Sequence, residues 1–175
     1  MTTALLFSTI DVTRQCFYRS SLSYAIVNLK PLVAGHVLVI PQRPVSRLQD
    51  LNDHELASLM SSIRRVGSVI ERAYGADALT IACQDGKAAG QSIPHVHFHI
   101  LPRKSKGDRF ERNNDDVYPV LEDHEKALPA DFRDASVGNV ERLKVDADDQ
   151  RPPRSLDEMW EEANWLKGFF VDTKE

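Results

Sequence analysis

The run His95-Val96-His97-Phe98-His99-Ile100-Leu101 constrains the fold more than any other stretch of the chain. Imidazoles alternate with apolar residues, and a period of two is the pattern of a strand with one buried face. In an extended segment the three rings line one surface about 6–7 Å apart, while Val96, Phe98 and Ile100 press into a core on the other. Half of the six histidines fall within five positions. Such a row suits nucleophilic or acid–base chemistry near neutral pH, because a reference pKa of about 6.5 leaves imidazole largely uncharged there. Histidines two apart on a strand can also share one zinc ion, with His36 as a third ligand. No cysteine or carboxylate lies near the triad in sequence to complete such a site.

The signals around this run describe an α+β domain. Leu22 to Leu29 is rich in apolar and β-forming residues, Pro31 and Gly35 punctuate a turn, and Val37 to Ile40 follows, stopped by Pro41. Two such runs predict a hairpin. Asn52-Asp53-His54-Glu55 reads as a capping box. Behind it Leu56, Leu59, Met60, Ile63, Val66, Ile70 and Tyr74 recur at helical spacing, and Gly75 closes the helix. Leu79 to Cys83 predicts a third core strand, Gly86 to Gly90 a loop, and the histidine strand ends at Pro102.

Beyond Leu101 the character changes. Lys104 to Asp116 is dense in charge and poor in apolar residues, which predicts a mobile loop. Val137 to Arg154 is also polar, ends in Pro152-Pro153, and reads as an insertion. Ser155-Leu156-Asp157-Glu158 is a second capping box. Leu156, Met159, Trp160, Ala163, Leu166 and Phe170 then form an apolar helical face that must dock on its own core or on a partner. The expected organisation is one domain: a core over 1–104, a charged loop and insertion over 105–154, and a C-terminal helix over 155–175.

Net charge limits the partners. At −4 over 175 residues there is no global basic field, which argues against duplex nucleic acid. Cys16 and Cys83 sit in separate segments without a CxxC pair, as in a reducing compartment. No apolar run approaches the roughly 20 residues of a membrane span, and Met1 to Ile10 lacks the basic start of a leader. A cytoplasmic or nuclear location is expected.

Four further strings join the histidine run in order: Leu29-Lys30-Pro31 with Gly35-His36-Val37-Leu38-Val39, Gln84-Asp85-Gly86, Ala89-Gly90-Gln91-Ser92, and Leu101-Pro102-Arg103-Lys104. Together they resemble the histidine triad (HIT) superfamily of nucleotide hydrolases and transferases. From about Leu22 to Lys104 the chain is similar to its fragile histidine triad branch, the dinucleoside triphosphate hydrolases. The resemblance implies an antiparallel sheet of about five strands with a long helix. It also implies a homodimer whose sheets join, with Asp53 to Tyr74 and the C-terminal helix near the interface. The implied reaction cleaves a dinucleoside polyphosphate, foremost diadenosine triphosphate to AMP and ADP.

In that reaction His97 would attack the α-phosphate and form a nucleotidyl-histidine intermediate that water later cleaves. His99 would hydrogen-bond a phosphate or bridging oxygen, the His95 carbonyl would fix the tautomer of His97, and His36 would support the row from behind. The Gly90-Gln91-Ser92-Ile93 loop would cradle phosphate, and Gln84 would touch phosphate beyond the scissile bond. Asn28 would bind the ribose hydroxyls, and Phe7, Ile26 and Leu38 would line an adenine slot. Magnesium or manganese would ride on the polyphosphate without a protein ligand. Tyr118 falls where some relatives carry a modifiable tyrosine; His54 and His124 receive no role.

Three features depart from the pattern: Pro94 just before the triad, the Ser8-Thr9-Ile10-Asp11 segment, and the 137–154 insertion. Two other activities use the same residues. One is hydrolysis of nucleoside phosphoramidates, as in the small histidine triad branch, whose chains generally end soon after the triad. The other is a nucleotide-binding signalling module with slow turnover.

Overall fold

The computed structural model describes residues 4–137 and 153–170. Along the chain come β1 (Leu6–Phe7), β2 (Ile10–Asp11), β3 (Cys16–Arg19), β4 (Ser23–Val27) and β5 (Val37–Pro41). Then follow α1 (Asp53–Tyr74), β6 (Ala78–Ala82), β7 (Phe98–Arg103), α2 (Val117–Val137) and α3 (Leu156–Gly168). The expected α+β architecture is present: five strands form one antiparallel sheet in the order β3-β4-β5-β7-β6, and β1 pairs with β2 as a separate small hairpin.

The register explains which residues share a face. Ile26, Leu38, His99 and Ala82 lie side by side across four strands. The period of two then adds Tyr24 and Leu101 to the same surface. Ser23 points the opposite way, its hydroxyl donating to Ser62 of α1 at 2.7 Å, while the Tyr24 hydroxyl donates to the Leu6 carbonyl at 2.8 Å. So α1 covers one face, and the small hairpin lies on the other. Burial from both sides makes β4 and β5 near-continuous apolar runs rather than alternating ones.

The α1 helix starts and stops as its sequence predicts. Asn52 accepts from the Glu55 backbone while the Glu55 side chain accepts from the Asn52 backbone, and Gly75 ends the helix in the left-handed region. Leu59, Ile63, Val66 and Ile70 are fully buried against the sheet. Each contributes about 1.5–3 kcal/mol of apolar burial. Leu56 and Met60, expected in the same stripe, are instead 38% and 47% exposed. They form an i, i+4 pair on the flank of the stripe, beyond the width that one sheet face covers.

Helix α3 docks on its own chain: Met159, Ala163 and Leu166 are buried, and Phe170 packs on Tyr18 at 5.1 Å between ring centroids. Leu156 and Trp160, expected on that apolar face, remain exposed.

Two expectations give way. The histidine strand begins only at Phe98 and runs to Arg103, because the Val96 amide bonds to the Val45 carbonyl at 2.7 Å instead of entering the ladder. His95 and His97 lie in the approach to the strand. More consequentially, residues 117–137 form the helix α2 where a charged loop and insertion were expected. Its inward residues Val117, Leu121, Leu128 and Phe132 follow helical spacing, with Glu122, Asp123 and Lys126 on the outside. Pro119 sits in the first turn, where a missing amide costs nothing, while Pro129 is interior and removes the amide that would bond the Glu125 carbonyl. Residues 138–152, most of the remaining insertion, lie outside the described residues. Among the described residues no helix is long and apolar enough to cross a membrane.

Candidate active site

Hydrogen positions in the histidine row follow from which partners can only donate or only accept. The Ser8 amide donates to His95 Nδ1 at 2.9 Å, and His95 Nε2 lies 2.8 Å from the Pro41 carbonyl, which only accepts. His95 is therefore a neutral ring with its hydrogen on Nε2. Burial holds its pKa down to about 4, so it stays neutral through the physiological range. Ser8 reaches this position with a φ of 57°, a left-handed turn residue between β1 and β2.

The His95 carbonyl in turn accepts from His97 Nδ1 at 2.7 Å. That leaves His97 Nε2 as the atom turned to the site. A second chain runs from behind. The Leu32 amide donates to His36 Nδ1 at 3.2 Å, which puts the hydrogen of a neutral His36 on Nε2. His36 Nε2 then donates to His99 Nδ1 at 2.9 Å, and the hydrogen of neutral His99 falls on Nε2, facing the site. Burial drives the pKa of both His36 and His99 below the usual imidazole value, so the chain remains uncharged.

These groups converge on Glu125 of α2. Its carboxylate accepts from the Ser92 amide at 3.1 Å and the Ser92 hydroxyl at 3.0 Å. It also stands 3.1 Å from His97 Nε2 and 3.3 Å from His99 Nε2, the last too far off line for a hydrogen bond. Burial raises the Glu125 pKa, but its contacts with His97 and His99 outweigh this and hold it well below the carboxylate range. His97 Nδ1 donates to the His95 carbonyl, so a proton lies between His97 Nε2 and the Glu125 carboxylate and ties the two together. Beside it, His124 donates from Nε2 to the Asn28 side-chain oxygen at 3.2 Å. His97, His99 and Glu125 are 1%, 0% and 0% exposed, so nothing in solvent touches them in this state.

Most of the expected residues meet here. Ile26 and Leu38 form the buried floor beside His99. Phe7 packs against the His97 ring at 5.1 Å and the His95 ring at 5.7 Å. Asn28 lies beside His36, and its side-chain oxygen also accepts from the Lys30 amide. Gly90, in the left-handed region at φ 93°, turns the loop so that Ser92 faces the triad. Gln84 packs by Gly90, and its side-chain oxygen is buried without a hydrogen-bond partner.

Two loop residues fall elsewhere: Gln91 donates to the Ser46 carbonyl at 2.9 Å, and Ile93 is buried in the main core. Tyr118 is 56% exposed at the start of α2, and His54 is exposed at the start of α1.

Sequence reasoning missed Glu125 and set His124 aside. The available signal was the helical recurrence of Val117, Leu121, Leu128 and Phe132, with His124 and Glu125 in the slots between them that face the same way.

Among the described residues His97, His99 and Glu125 also have the donor types of a zinc site, with ligand atoms within 4.8 Å of one another. The hydrogen on His99 Nε2 opposes that use: freeing this nitrogen would force His36 to accept at both of its own. His36 itself has both nitrogens committed behind the row and offers none to a metal.

An antiparallel sheet whose strand β7 carries His99, with His95 and His97 on its approach and a Gly-Gln-Ser turn beside them, defines a histidine triad protein. The HIT domain model matches residues 10–106. The chain is 48% identical to an asymmetrical bis(5′-nucleosyl)-tetraphosphatase of Schizosaccharomyces pombe, over 98% of this chain and 97% of that one. It is 44% identical to a bifunctional bis(5′-adenosyl)-triphosphatase/adenylylsulfatase of Arabidopsis thaliana, over 90% of this chain and 78% of the relative. The crystal structure of the Caenorhabditis elegans NitFhit protein superposes with a TM-score of 0.69 at 33% identity, covering 97% of this chain and 31% of that one. The chain belongs to the HIT domain family, in its fragile histidine triad branch.

Proposed function

We propose that the protein hydrolyses dinucleoside polyphosphates by covalent catalysis at His97. One observation carries this reading: the Ser92 amide and hydroxyl and the His97 and His99 Nε2 atoms all converge on one buried carboxylate. They form an anion site about one hydrogen-bond length from a nucleophilic nitrogen.

With a phosphoryl group in place of that carboxylate, the His97 Nδ1 hydrogen stays on the His95 carbonyl and Nε2 presents its lone pair to phosphorus. Nε2 attacks the α-phosphorus, the P–N bond forms, and the bond to the bridging oxygen breaks. The electron pair leaves with the distal nucleotide. His99 donates from Nε2 to an oxygen of the transferring group, and Ser92 donates twice to the non-bridging oxygens. Water then attacks the nucleotidyl-histidine: a P–O bond forms, the P–N bond breaks, and the water gives up a proton to solvent. Asn28 serves the ribose, Phe7 with Ile26 and Leu38 the base, and Gln84 the distal phosphate.

Attack at the α-phosphate gives a mononucleotide and the remainder of the bridge. From diadenosine triphosphate these are AMP and ADP, the primary reading. The relatives named for a triphosphatase and for an asymmetrical tetraphosphatase both fit this chemistry. The 48% identity to the tetraphosphatase favours a second substrate, a tetraphosphate cleaved to AMP and ATP. A magnesium or manganese ion arrives on the polyphosphate as part of the substrate. Hard divalent ions take oxygen ligands, and the described site offers nitrogens and a single carboxylate, which form no cage for one.

The working unit is a homodimer. Leu56 and Met60 of α1 and Ile81 of the outer strand β6 are all exposed, and pairing β6 with its copy would join two sheets and cover them. Free Cys16 and Cys83 suit a reducing compartment, the cytoplasm or nucleus.

The test is product analysis with diadenosine tri- and tetraphosphate plus magnesium, comparing wild type with His97→Asn. Equal AMP and ADP from the triphosphate, and almost none from the variant, are expected. Inert wild type that cleaves an adenosine phosphoramidate instead would overturn the assignment.

A further inference from the structure

We infer that α2 is an intramolecular stand-in for the substrate: His124 and Glu125 fill the ribose and phosphate places, the centre is closed at rest, and turnover requires this helix to withdraw. The naming of those places rests on the function proposed above; the occlusion rests on geometry alone.

The polar contacts are those of a ligand rather than of ordinary helix packing. Glu125 takes both Ser92 donors and stands 3.1 Å from His97 Nε2, so the nitrogen meant to attack is blocked. One donor is left over. His99 Nε2 is buried and has no hydrogen-bond partner although it faces the carboxylate. A planar carboxylate has two oxygens for donors arrayed around it, whereas a tetrahedral phosphoryl group brings an oxygen to the third direction. One residue earlier, His124 donates to the Asn28 oxygen that a ribose hydroxyl would meet. Consecutive residues of α2 thus reproduce a sugar contact and a phosphate contact side by side.

The rest of α2 is built to hold this state and to leave it. Val117 and Leu121 pack with Leu101 and Phe110 in a small cluster of their own, apart from the main core. Leu128 and Phe132 pack into the main core, Phe132 edge-on to Phe7 at 6.1 Å. Pro129 interrupts the helical ladder at the carbonyl of Glu125 itself, a built-in weak point between the two anchored halves. Withdrawal uncovers Phe7, the residue assigned to the base, so apolar surface lost by the helix is available to the incoming nucleotide.

An internal occupant weakens every ligand of the site by the closed-to-open ratio. It also shields His97 from small electrophiles. The test measures both. In ligand-free protein, carbethoxylation of His97 by diethyl pyrocarbonate is followed by peptide mass mapping. In parallel, KM is measured for diadenosine triphosphate with magnesium. Glu125→Ala should speed modification and lower KM, each on the order of tenfold, the equivalent of one charge-assisted hydrogen bond.

Leu128→Ala loosens the helix without touching the phosphate donors and should move both in the same direction. Lys126→Ala, on the outer face with Glu122, should match wild type. Unchanged His97 modification in both Glu125→Ala and Leu128→Ala overturns the inference, and if turnover is normal it leaves the proposed function standing. Faster modification with no polyphosphate cleaved by any variant supports the closed helix and sinks the proposed substrate instead.

Discussion

Gly35→Ala should be among the most damaging single-atom additions to this protein, and the structure says why. Gly35 has a φ of +84°, and a Cβ there would lie 2.5, 2.7 and 2.8 Å from three ring carbons of Tyr74. The ring cannot swing away, because its hydroxyl donates to Glu162 and it packs in a T-shaped contact with Trp165 at 5.4 Å between ring centroids. Left-handed strain on a residue with a Cβ costs about 1–2 kcal/mol. Overpacking a held side chain adds about 1–3 kcal/mol, so the total is about 2–5 kcal/mol. Gly67→Ala is the control of equal chemistry. Its Cβ would approach only the flexible tip of Leu79, at 2.7 Å. An alanine inside α1 recovers up to about 1 kcal/mol of helix propensity, which leaves the net change near zero.

Urea unfolding of the three proteins at pH 7.5, a pH roughly one unit above the reference histidine pKa, gives both differences from the midpoints at constant slope. Turnover should follow: Gly35 precedes His36, and displacing that ring disturbs its 2.9 Å bond to His99. A Gly35→Ala protein within about 1 kcal/mol of wild type, or a Gly67→Ala protein equally damaged, would refute the reasoning from these contacts.

Ser92→Ala removes one hydroxyl donor to the anion site and should lower kcat/KM by roughly ten- to a hundredfold; because the same hydroxyl donates to buried Glu125, the urea midpoint should also fall, by about 1–3 kcal/mol, and unchanged kcat/KM would remove Ser92 Oγ from phosphate recognition. Burial holds His95 to about 4 and His124 to about 3. Both lie below their unfolded value, so neither matters above about pH 6.5. As the pH falls from there toward 4, the unfolded chain binds protons that the native state refuses, and stability drops by roughly 1.4 kcal/mol per pH unit for each ring. Urea midpoints at pH 7 and pH 5 measure this, and a flat profile would contradict it. Ile81→Lys puts a charge on the outer edge of β6 and should convert a dimer to monomers by light scattering; a persistent dimer would place the interface elsewhere.

What could be read in advance was local. The β4–β5 hairpin, the Asn52/Glu55 capping box and the Gly75 stop are each decided within a few residues, and each stands in the structure. His97 and the Ser92 turn were legible because their chemistry is carried by residue type at short spacing. Leu56 and Met60 were misjudged because helical periodicity marks a stripe without saying how wide a surface the neighbours will cover. Helix α2 was missed for a related reason. Its charged outer face and two prolines mimic a loop, and two of its inward positions are polar, paired across the fold with Asn28, Ser92 and His97. Gln91 illustrates the remaining limit: its partner is the Ser46 carbonyl, 45 residues away, and no spacing in the chain announces it.

The proton positions of the histidine row are dictated by four main-chain groups: the Ser8 and Leu32 amides and the Pro41 and His95 carbonyls. An alanine scan is blind to all four. Over evolutionary time the identities of residues 8, 32 and 41 are free to drift provided the chain keeps its path, so sequence variability there would mislead about their importance. Chemical synthesis offers the missing lever: an ester in place of the amide at Ser8 or Leu32 would delete a single N–H, leave every side chain intact, and release one imidazole to choose its own tautomer.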